Sequence, residues 1–445
     1  MGKLFGTDGI RGIVGDDLTV QLAYKVGLAA AYVLGKEKEN LTVLIGKDTR
    51  VSRDVLSTAL TAGLLNSGAN VIDLGIVPTP AVSYLIKKYN ASMGVMISAS
   101  HNPSEYNGIK LFDENGFKLP DETEEKIEKY LLGEEIPSSN KIGNLSIKFD
   151  AIEDYTDYLV STVENINKDL KIVVDCANGS ASTTAEVLFK KLGLKPNIIN
   201  INFDGYNIND NCGSTHMEKL IETVLNTKAD LGIAYDGDAD RCLMVDDQGN
   251  LIDGDFILVI AGNYLKEKNE LDNNTIVGTI MSNLGLKKFC ENSDINFVAT
   301  KVGDRYVLEN MLENGNIIGG EQSGHVIFKK HANTGDGELT SIQILNIMTK
   351  TNKSLKELAS IMQSYPQVLI NVEVTKEGKE HFLEDEDIIC LKNEIEDSLN
   401  DEGRVLLRAS GTEYKIRVML EGKDINDITS KAQKLADLIK EKYGK

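Results

Sequence analysis

Short apolar runs alternate with longer amphipathic segments through the first 340 residues of the chain. Most of these runs lead into Gly, Asp, Asn or Ser, and they are Leu41–Ile45, Val71–Leu74, Gly94–Ile97, Lys171–Val174, Leu231–Ala234 and Ile276–Ile280. Such runs are typical of parallel strands that are buried on both faces. Apolar residues recur at helical spacing between them, as in Val55–Asn66 and Thr183–Leu192. The sequence therefore predicts α/β layers with mixed, largely parallel sheets.

The residues after 365 follow a different pattern. Strands are predicted at Gln367–Thr375, Arg404–Arg408 and Ile416–Leu420, followed by a closing helix from Asp424. This predicts a small α+β domain at the C-terminal end. Polar stretches within Leu132–Lys148, Asp246–Gly254 and Ser364–Pro366 indicate the boundaries of the domains, which we place at residues 1–150, 151–252, 253–365 and 366–445.

Composition excludes several classes of partner. The chain has 68 Asp and Glu against 48 Lys and Arg, a formal net charge of −20, which repels nucleic acid and anionic membranes. The five cysteines are scattered and no two form a C-x-x-C pair, so we expect no disulfide framework and a reducing cytoplasm. We also expect no signal peptide, and no apolar run approaches the ~18 residues that span a bilayer.

A Ser-Ala-Ser-His-Asn-Pro segment at residues 98–103 directly follows a predicted strand. Ligands of open parallel sheets lie beyond the carboxyl ends of the strands, so Ser100, flanked by small residues, would be accessible to a substrate. His101 and Lys110 carry or can acquire positive charge and could steady a phosphoryl group. A helix N-cap or an Asx turn explains the same residues equally well. A serine hydrolase is disfavoured, because no G-x-S-x-G pattern surrounds Ser100.

Three aspartates alternate with small residues after another predicted strand, in the run Asp-Gly-Asp-Ala-Asp-Arg at 236–241. Alternation places Asp236, Asp238 and Asp240 on one side of an extended segment. Two carboxylates ~4 Å apart repel by roughly 4 kcal/mol at an effective dielectric of ~20, so a convergent trio favours a divalent cation. Oxygen ligands indicate Mg²⁺ or Mn²⁺. A solvated acidic turn stays open, whereas an EF-hand loop needs Gly where the chain has Arg241.

Three further segments are weak signals when taken singly. Gly-Gly-Glu-Gln-Ser-Gly-His at 319–325 offers carboxylate, amide and hydroxyl groups to a sugar, or is a loop of turn residues. Arg-Ala-Ser-Gly-Thr-Glu at 408–413, with Lys415 and Arg417 close behind, has the groups to bind an anion, or is an ordinary hairpin turn. The Gly-rich start at Phe5–Gly12 contains Arg11, which could line the same cleft.

Taken together and in order, these five segments resemble those of the α-D-phosphohexomutase superfamily, over essentially the whole chain. The resemblance implies three related α/β domains and a small α+β C-terminal domain around a central cleft. The first would carry the phosphoserine loop, the second the metal-binding loop, the third the sugar-binding loop, and the last would bind phosphate.

The resemblance also implies roles for the site residues. Ser100 would be the phosphoserine, and one Mg²⁺ per site would be held by its phosphate, Asp236, Asp238 and Asp240. By their proximity to Ser100, Lys110 would transfer a proton to or from the sugar hydroxyl and His101 would support the phosphate, and Arg11 completes the catalytic set. The expected substrate-binding residues are Arg241, Arg305, Glu321, Ser323, His325, Arg408, Ser410, Gly411, Thr412 and Arg417.

Within the superfamily the chain is similar to the branch that acts on glucosamine phosphates. One clue is the segment Val302–Val307. The other is Gln322, a position at which the hexose-phosphate enzymes usually carry Met. The implied reaction interconverts glucosamine 6-phosphate and glucosamine 1-phosphate, with glucosamine 1,6-bisphosphate as intermediate and activator. A phosphoglucomutase/phosphomannomutase stays open as an alternative, and so does a sugar-phosphate sensor without catalysis.

The sequence leaves two further matters open. Ser100 must first be phosphorylated, by a kinase or by the enzyme itself, and a homodimer is possible.

One departure from the family is Tyr414, where Pro usually follows the phosphate loop. Because proline would fix φ, we expect the exit of that loop to be looser here.

Overall fold

A computed structural model of the chain describes residues 4–6, 8–35, 38, 40–410 and 414–445. It divides into two compact units by its internal contacts. The larger unit comprises Met1–Met281 and Ile295–Ile361, and the smaller comprises Ser282–Asp294 and Met362–Lys445. The larger unit contains three separate sheets, and the smaller unit contains one.

The first sheet has seven strands in the order β1-β2-β6-β5-β3-β4-β7. These strands are β1 (Phe5–Gly6), β2 (Gly9–Ile13), β3 (Thr42–Lys47), β4 (Asn70–Ile76), β5 (Met93–Ile97), β6 (Tyr106–Phe112) and β7 (Leu145–Ile147). The associated helices are α1 (Val20–Gly35), α2 (Arg53–Asn66), α3 (Thr79–Lys88) and α4 (Asp121–Leu131). β3 pairs in parallel with β4 and β5, and β5 pairs antiparallel with β6, so the sheet is mixed as predicted.

The second sheet has five strands in the order β12-β11-β10-β8-β9. Its strands are β8 (Ile172–Asp175), β9 (Asn197–Ile199), β10 (Leu231–Tyr235), β11 (Cys242–Asp246) and β12 (Leu251–Ile252). Its helices are α5 (Ala151–Ser161), α6 (Ala181–Lys191) and α7 (Glu218–Thr227), with a 3₁₀ turn at Gly213–Thr215. β8 and β10 are parallel, whereas β10 and β11 form an antiparallel pair. The aspartate run therefore lies in the connection between two antiparallel strands.

The third sheet has four strands in the order β14-β13-β15-β16. Its strands are β13 (Thr275–Thr279), β14 (Asn296–Thr300), β15 (Ile318–Gly320) and β16 (Val326–Phe328). The helices of this part of the sequence are α8 (Gly254–Glu267), α9 (Leu284–Asn292), α10 (Asp304–Asn314), α11 (Gly337–Thr351) and α12 (Leu355–Ala359), with a 3₁₀ turn at Asp272–Asn274. The segment 319–325 comprises the end of β15 and its connection to β16, and these two strands are antiparallel.

The smaller unit is built on an antiparallel sheet in the order β17-β19-β18. Its strands are β17 (Gln367–Glu373), β18 (Gly403–Ala409) and β19 (Lys415–Gly422), and its helices after α9 are α13 (Lys376–His381), α14 (Glu386–Ser398) and α15 (Ile425–Tyr443). Asn283 joins α9 to this unit, since its side chain bonds the backbone O and N of Tyr365 at 2.9 and 3.0 Å. No local sequence pattern indicates that residues 282–294 pack here.

Burial explains why the strands form where the sequence predicts them. Every residue of β5, β8 and β10 is buried, and burying a Val, Leu or Ile side chain stabilises the fold by about 1.5–3 kcal/mol. The predicted strands and helices are confirmed to within two residues at each end. Within the described residues, no helix combines the length and the apolar character needed to cross a bilayer.

Candidate active site

The serine loop and the aspartate loop meet in the larger unit. Ser100 follows β5 and is only 1% exposed. Its Oγ donates a hydrogen bond to Asp236 Oδ2 at 2.6 Å, and its backbone N–H donates to Ser98 Oγ at 2.9 Å. Ser100 has a φ of +55°, a left-handed conformation that is costly for a residue other than glycine. The serine is therefore held in a specific orientation against an aspartate that sequence reasoning had assigned to a metal site.

Asp236, Asp238 and Asp240 form a compact, buried set of oxygen ligands. Each offers one carboxylate oxygen, and these atoms all lie within 4.8 Å of one another. Within the described part of the chain, Asp238 Oδ1 and Asp240 Oδ1 are buried without a hydrogen-bond partner. Burial, with repulsion from Asp240 and Asp238, raises the pKa of Asp236 well above its ordinary value. Orphaned oxygens and mutual repulsion are the features that a bound divalent cation would relieve, so these residues fit Mg²⁺.

Gly237 is required by the close approach of the two loops. A Cβ at this position would lie 2.5 Å from the carbonyl oxygen of Ser100 and 2.8 Å from Asn209 Nδ2. Both distances are shorter than van der Waals contact, so any side chain would push the serine loop away from the aspartates. The small residue between two aspartates therefore has a steric explanation that its spacing alone did not give.

Lys110 places a positive charge beside the aspartates. Its Nζ lies 2.7 Å from Asp238 Oδ2, 2.9 Å from Asp8 Oδ2 and 3.8 Å from Asp240 Oδ2. Burial lowers the pKa of the lysine, but attraction to the three carboxylates outweighs burial and raises it above its ordinary value. Lys110 is therefore an ammonium group at neutral pH, and it offsets part of the negative charge of the site.

Asp8, Lys118 and Asp304 extend this network, and sequence analysis did not single them out as site residues. Lys118 Nζ contacts Asp8 Oδ1 at 2.5 Å and Asp304 Oδ2 at 2.6 Å, and Asp8 also pairs with Arg11. Asp8 lies next to a glycine within Phe5–Gly12, and Asp304 lies next to a glycine within Val302–Val307. The signal for them was an acidic residue in a glycine-rich turn, which is too common to select without coordinates.

His325 is buried in the protein interior and contacts the aspartate loop at Asp240. It is 3% exposed, and its Nδ1 lies 3.6 Å from Asp240 Oδ2. The backbone N–H of Gly335 donates to Nε2 at 3.0 Å, which places the ring proton on Nδ1, facing Asp240. The structure thus places this expected substrate ligand against Asp240 in the protein interior.

His101 lies beside the serine. Its Nδ1 is 3.4 Å from Ser100 Oγ. Burial, together with the positive charges of Arg241 and Arg11, lowers the pKa of His101 to about 4. The imidazole is therefore neutral at pH 7 and can support a phosphate by hydrogen bonding but not by charge.

The backbone N–H of Arg241 donates to Asp236 Oδ1 at 3.2 Å, so the end of the aspartate loop is bonded to Asp236 at its start.

The sugar-loop candidates are held at the connection between β15 and β16. Glu321 Oε1 accepts a hydrogen bond from the backbone N–H of Gly303 at 3.1 Å. Gln322 Nε2 donates to Asp253 Oδ2 at 3.1 Å, and Asp253 caps the N-terminus of α8. Ser323 is half-buried. These contacts orient the Glu321 carboxylate and the Gln322 amide.

The Arg305 guanidinium is held by partners within the protein. Its Nη2 donates to Glu124 Oε2 at 3.0 Å and to the carbonyl of Leu119 at 3.1 Å, and its Nη1 pairs with Asp121. The guanidinium is thus engaged by α4 and the residues just before it. Sequence spacing could not show this, because the partners lie about 180 residues away in the chain.

In the smaller unit, Arg408 and Arg417 are direct cross-strand neighbours on β18 and β19. The Nε atoms of both are buried without a hydrogen-bond partner, and neither guanidinium pairs with a carboxylate of the described residues. Like charges directly opposite each other are destabilising, so this pair is suited to an anion. Ser410, the residue after β18, is buried, whereas Gly411 and Thr412 lie outside the described residues.

The Tyr414 ring lies beneath the ammonium groups of Lys379 and Lys445, with distances of 5.6 and 4.9 Å from Nζ to the ring centroid.

Four domain models of one known family match consecutive parts of the chain. Models of the phosphoglucomutase/phosphomannomutase family match residues 2–136 (alpha/beta/alpha domain I), 153–249 (domain II), 253–365 (domain III) and 369–438 (C-terminal domain). The chain therefore belongs to this family, within the α-D-phosphohexomutase superfamily, and is an enzyme of the mutase class. The expected fold class, three α/β domains with a small C-terminal domain, is confirmed.

Full-length relatives narrow the assignment within that family. The chain is 52% identical over 449 residues to phosphoglucosamine mutase of Acetivibrio thermocellus, and 51% identical over 447 residues to that of Clostridium beijerinckii. In both cases 100% of each chain is covered. The predicted membership of the phosphoglucosamine mutase branch is confirmed.

Solved structures share the fold at low sequence identity. A phosphoglucomutase/phosphomannomutase family protein from Burkholderia thailandensis has a TM-score of 0.83 at 23% identity, with 98% of this chain and 97% of that chain covered. N-acetylphosphoglucosamine mutase of Aspergillus fumigatus, solved in complex with GlcNAc-6P and magnesium, has a TM-score of 0.66 at 18% identity, with 98% and 95% covered.

Proposed function

We propose that the chain interconverts glucosamine 6-phosphate and glucosamine 1-phosphate, with Ser100 carrying the phosphoryl group. The observation that carries this proposal is the 2.6 Å hydrogen bond between Ser100 Oγ and Asp236, inside the buried aspartate cluster. A phosphate on Oγ would add oxygens at the point where three carboxylates already converge. The names of the full-length relatives support the choice of an amino sugar.

The reaction consists of two phosphoryl transfers in opposite directions. In the first, a sugar hydroxyl oxygen gives up its proton and bonds to the phosphorus of phospho-Ser100, the P–Oγ bond breaks, and the released Ser100 Oγ takes up one proton and ends as a hydroxyl. The product is glucosamine 1,6-bisphosphate, which turns over within the site. In the second transfer, Ser100 Oγ bonds to the other phosphorus and gives up its proton, that P–O bond to the sugar breaks, and the released sugar oxygen takes up one proton, so that the protons balance.

Asp236, Asp238, Asp240 and the phosphate on Ser100 would hold Mg²⁺. When bound, the ion offsets charge on the phosphoryl oxygens. Lys110, as an ammonium group, is in the form that donates a proton to the departing sugar oxygen in the second transfer. Its charge also offsets part of the negative charge of Asp8 and Asp238, which favours the binding of an anionic substrate.

The remaining residues bind and orient the sugar phosphate. We assign Arg241, His101 and Arg11 to the reacting phosphate, and Glu321 and Ser323 to the sugar hydroxyls. Arg408, Arg417 and Ser410, with Gly411 and Thr412, would bind the phosphate that is not being transferred. Arg305 and His325 act indirectly in this proposal, since the acids around them already engage both side chains.

A coupled assay with glucosamine 6-phosphate and Mg²⁺, primed with a trace of the 1,6-bisphosphate, tests the proposal. Wild type should be active, Ser100→Ala inactive, and Ser104→Ala, a change in the same loop, should retain activity. Turnover of glucose 6-phosphate but not of glucosamine 6-phosphate would move the assignment to a hexose-phosphate mutase. Inactivity on both would leave a sensor. Omitting the bisphosphate, with and without prior treatment by a kinase, shows how Ser100 is loaded.

A further inference from the structure

Arg50 is a fully buried arginine directly beneath the serine loop. It follows β3, has an exposed fraction of 0%, and has no place in the reaction described above. Its Nη2 donates to the carbonyl oxygens of Ser100 and Asn102 at 2.9 and 2.8 Å. Its Nη1 donates to the carbonyl of Tyr106 at 3.0 Å and to that of Pro103. One guanidinium therefore binds four carbonyls of the segment that contains the serine.

Asp48 connects the same arginine to the other side of the loop. Arg50 Nε donates to Asp48 Oδ2 at 2.9 Å, and the same oxygen accepts a hydrogen bond from Ser98 Oγ at 2.6 Å. Ser98 Oγ in turn accepts the backbone N–H of Ser100. The peptide groups on both sides of the Ser100 Cα, its N–H and its carbonyl, are thus fixed by one connected network.

A second donor reaches the same carbonyls from another part of the fold. Asn209 Nδ2 donates to the carbonyl oxygens of Ser100 and Asn102 at 2.9 and 3.1 Å. Asn209 belongs to the segment that bonds Ala177, next to the second sheet, whereas Arg50 belongs to the first. The serine loop is therefore clamped between two sheets at the carbonyl of the residue that bears the phosphate.

We propose that Arg50 is a positioning residue that keeps Ser100 Oγ in one place during both phosphoryl transfers. The inference rests on the proposed function, since it assumes that Ser100 carries the phosphate. Ser100 is the acceptor in one transfer and the leaving group in the other, so its Oγ must stay aligned with the aspartates when it is free and when it is loaded. The left-handed backbone conformation of Ser100 costs free energy and persists only when surrounding groups stabilise it. The planar guanidinium of Arg50 stabilises it with hydrogen-bond donors at fixed positions.

The test is Arg50→Lys, with Arg53→Lys as the matched control. Lysine keeps a cation beside Asp48 but cannot donate to four carbonyls at once. Arg53 donates to the carbonyls of Thr49 and Arg50, and among the described residues its side chain makes no hydrogen bond or ion pair with the serine loop. Two quantities are measured on the full chain: steady-state kinetics with glucosamine 6-phosphate, and hydrogen exchange of the amides of residues 98–104.

Arg50→Lys should lower kcat by about 100-fold, because a displacement of ~1 Å costs about that much, while KM stays within about threefold. Exchange at Ser100 should accelerate, and Arg53→Lys should match wild type in both measurements.

Unchanged exchange and unchanged kcat in Arg50→Lys, with an active wild type, would overturn the positioning role alone. Wild type that is inactive and never phosphorylated on Ser100 would overturn the proposed function and this inference with it. If Arg50→Lys does not fold, Ser98→Ala, which cuts the link to the Ser100 N–H, should show the same loss of kcat, and normal kcat would refute the clamp.

Discussion

Lys110 Nζ lies 2.7 Å from Asp238 Oδ2, so a buried ammonium group shares a carboxylate with the candidate metal site. The same ammonium lies 2.9 Å from Asp8, and the side chain is 1% exposed. The cation thus links the N-terminal glycine-rich turn to the aspartate loop. It makes two separate sequence motifs into one electrostatic unit.

Replacing Lys110 by Met should lower turnover by about 100-fold or more, because a proton donor and a balancing charge are lost together. It should also destabilise the fold by about 3–5 kcal/mol, since Asp238 is left buried without its cationic partner. Lys38→Met, which breaks an exposed ion pair with Glu114, is the control and should change little. Near-normal turnover of Lys110→Met, measured in the coupled assay, would remove the lysine from the mechanism.

Mg²⁺ should raise the thermal midpoint of the wild-type chain even without substrate. A ligand at 100 times its Kd stabilises the folded state by about 2.7 kcal/mol. Asp240→Asn should abolish most of this stabilisation, because it removes one of three converging carboxylates. Asp247→Asn, an exposed change nearby in sequence, should retain it. Equal Mg²⁺ stabilisation of both variants would contradict the assignment of the aspartates.

Arg408→Ala should raise KM for the sugar phosphate by about 10-fold or more, as expected for losing a charge-assisted hydrogen bond. Because the non-reacting phosphate is bound alike before and during transfer, kcat should stay within about threefold. Thermal stability without substrate should not fall, since the variant also removes repulsion from Arg417. Lys376→Ala, an exposed change in the same unit, serves as the control. An unchanged KM would argue against the phosphate role.

Glu338 should make the stability of the fold depend on pH. Its carboxyl is completely buried, and burial raises its pKa from 4.5 to about 8. The folded state therefore binds the proton more tightly than the unfolded chain, and this stabilisation is complete below pH 4.5 and is lost as the pH rises through about 8. Thermal midpoints between about pH 5 and pH 8 should thus fall more steeply for wild type than for Glu338→Gln. The exposed control Glu186→Gln should follow wild type, and parallel curves for Glu338→Gln would refute the assignment.

Local patterns predicted the strands and the motifs but not the contacts between distant segments. β5 and β10 are continuous apolar runs, so their positions and the loops that follow them could be derived from the sequence. Arg50 was visible only as part of a polar run after β3, because its four carbonyl acceptors lie fifty or more residues away. Arg305 was expected to bind substrate, and only coordinates reveal that Glu124 engages it. Charge networks of this kind depend on long-range geometry, which spacing along the chain does not encode.

The central claim is that Ser100 passes its own phosphoryl group to the sugar. The most direct test is a single-turnover experiment with chain that carries a labelled phosphate on Ser100, mixed with excess unlabelled glucosamine 6-phosphate and Mg²⁺. The label should leave the protein and appear in a sugar phosphate, at a rate no slower than steady-state turnover. Label that stays on Ser100 while the unlabelled sugar is converted would contradict it.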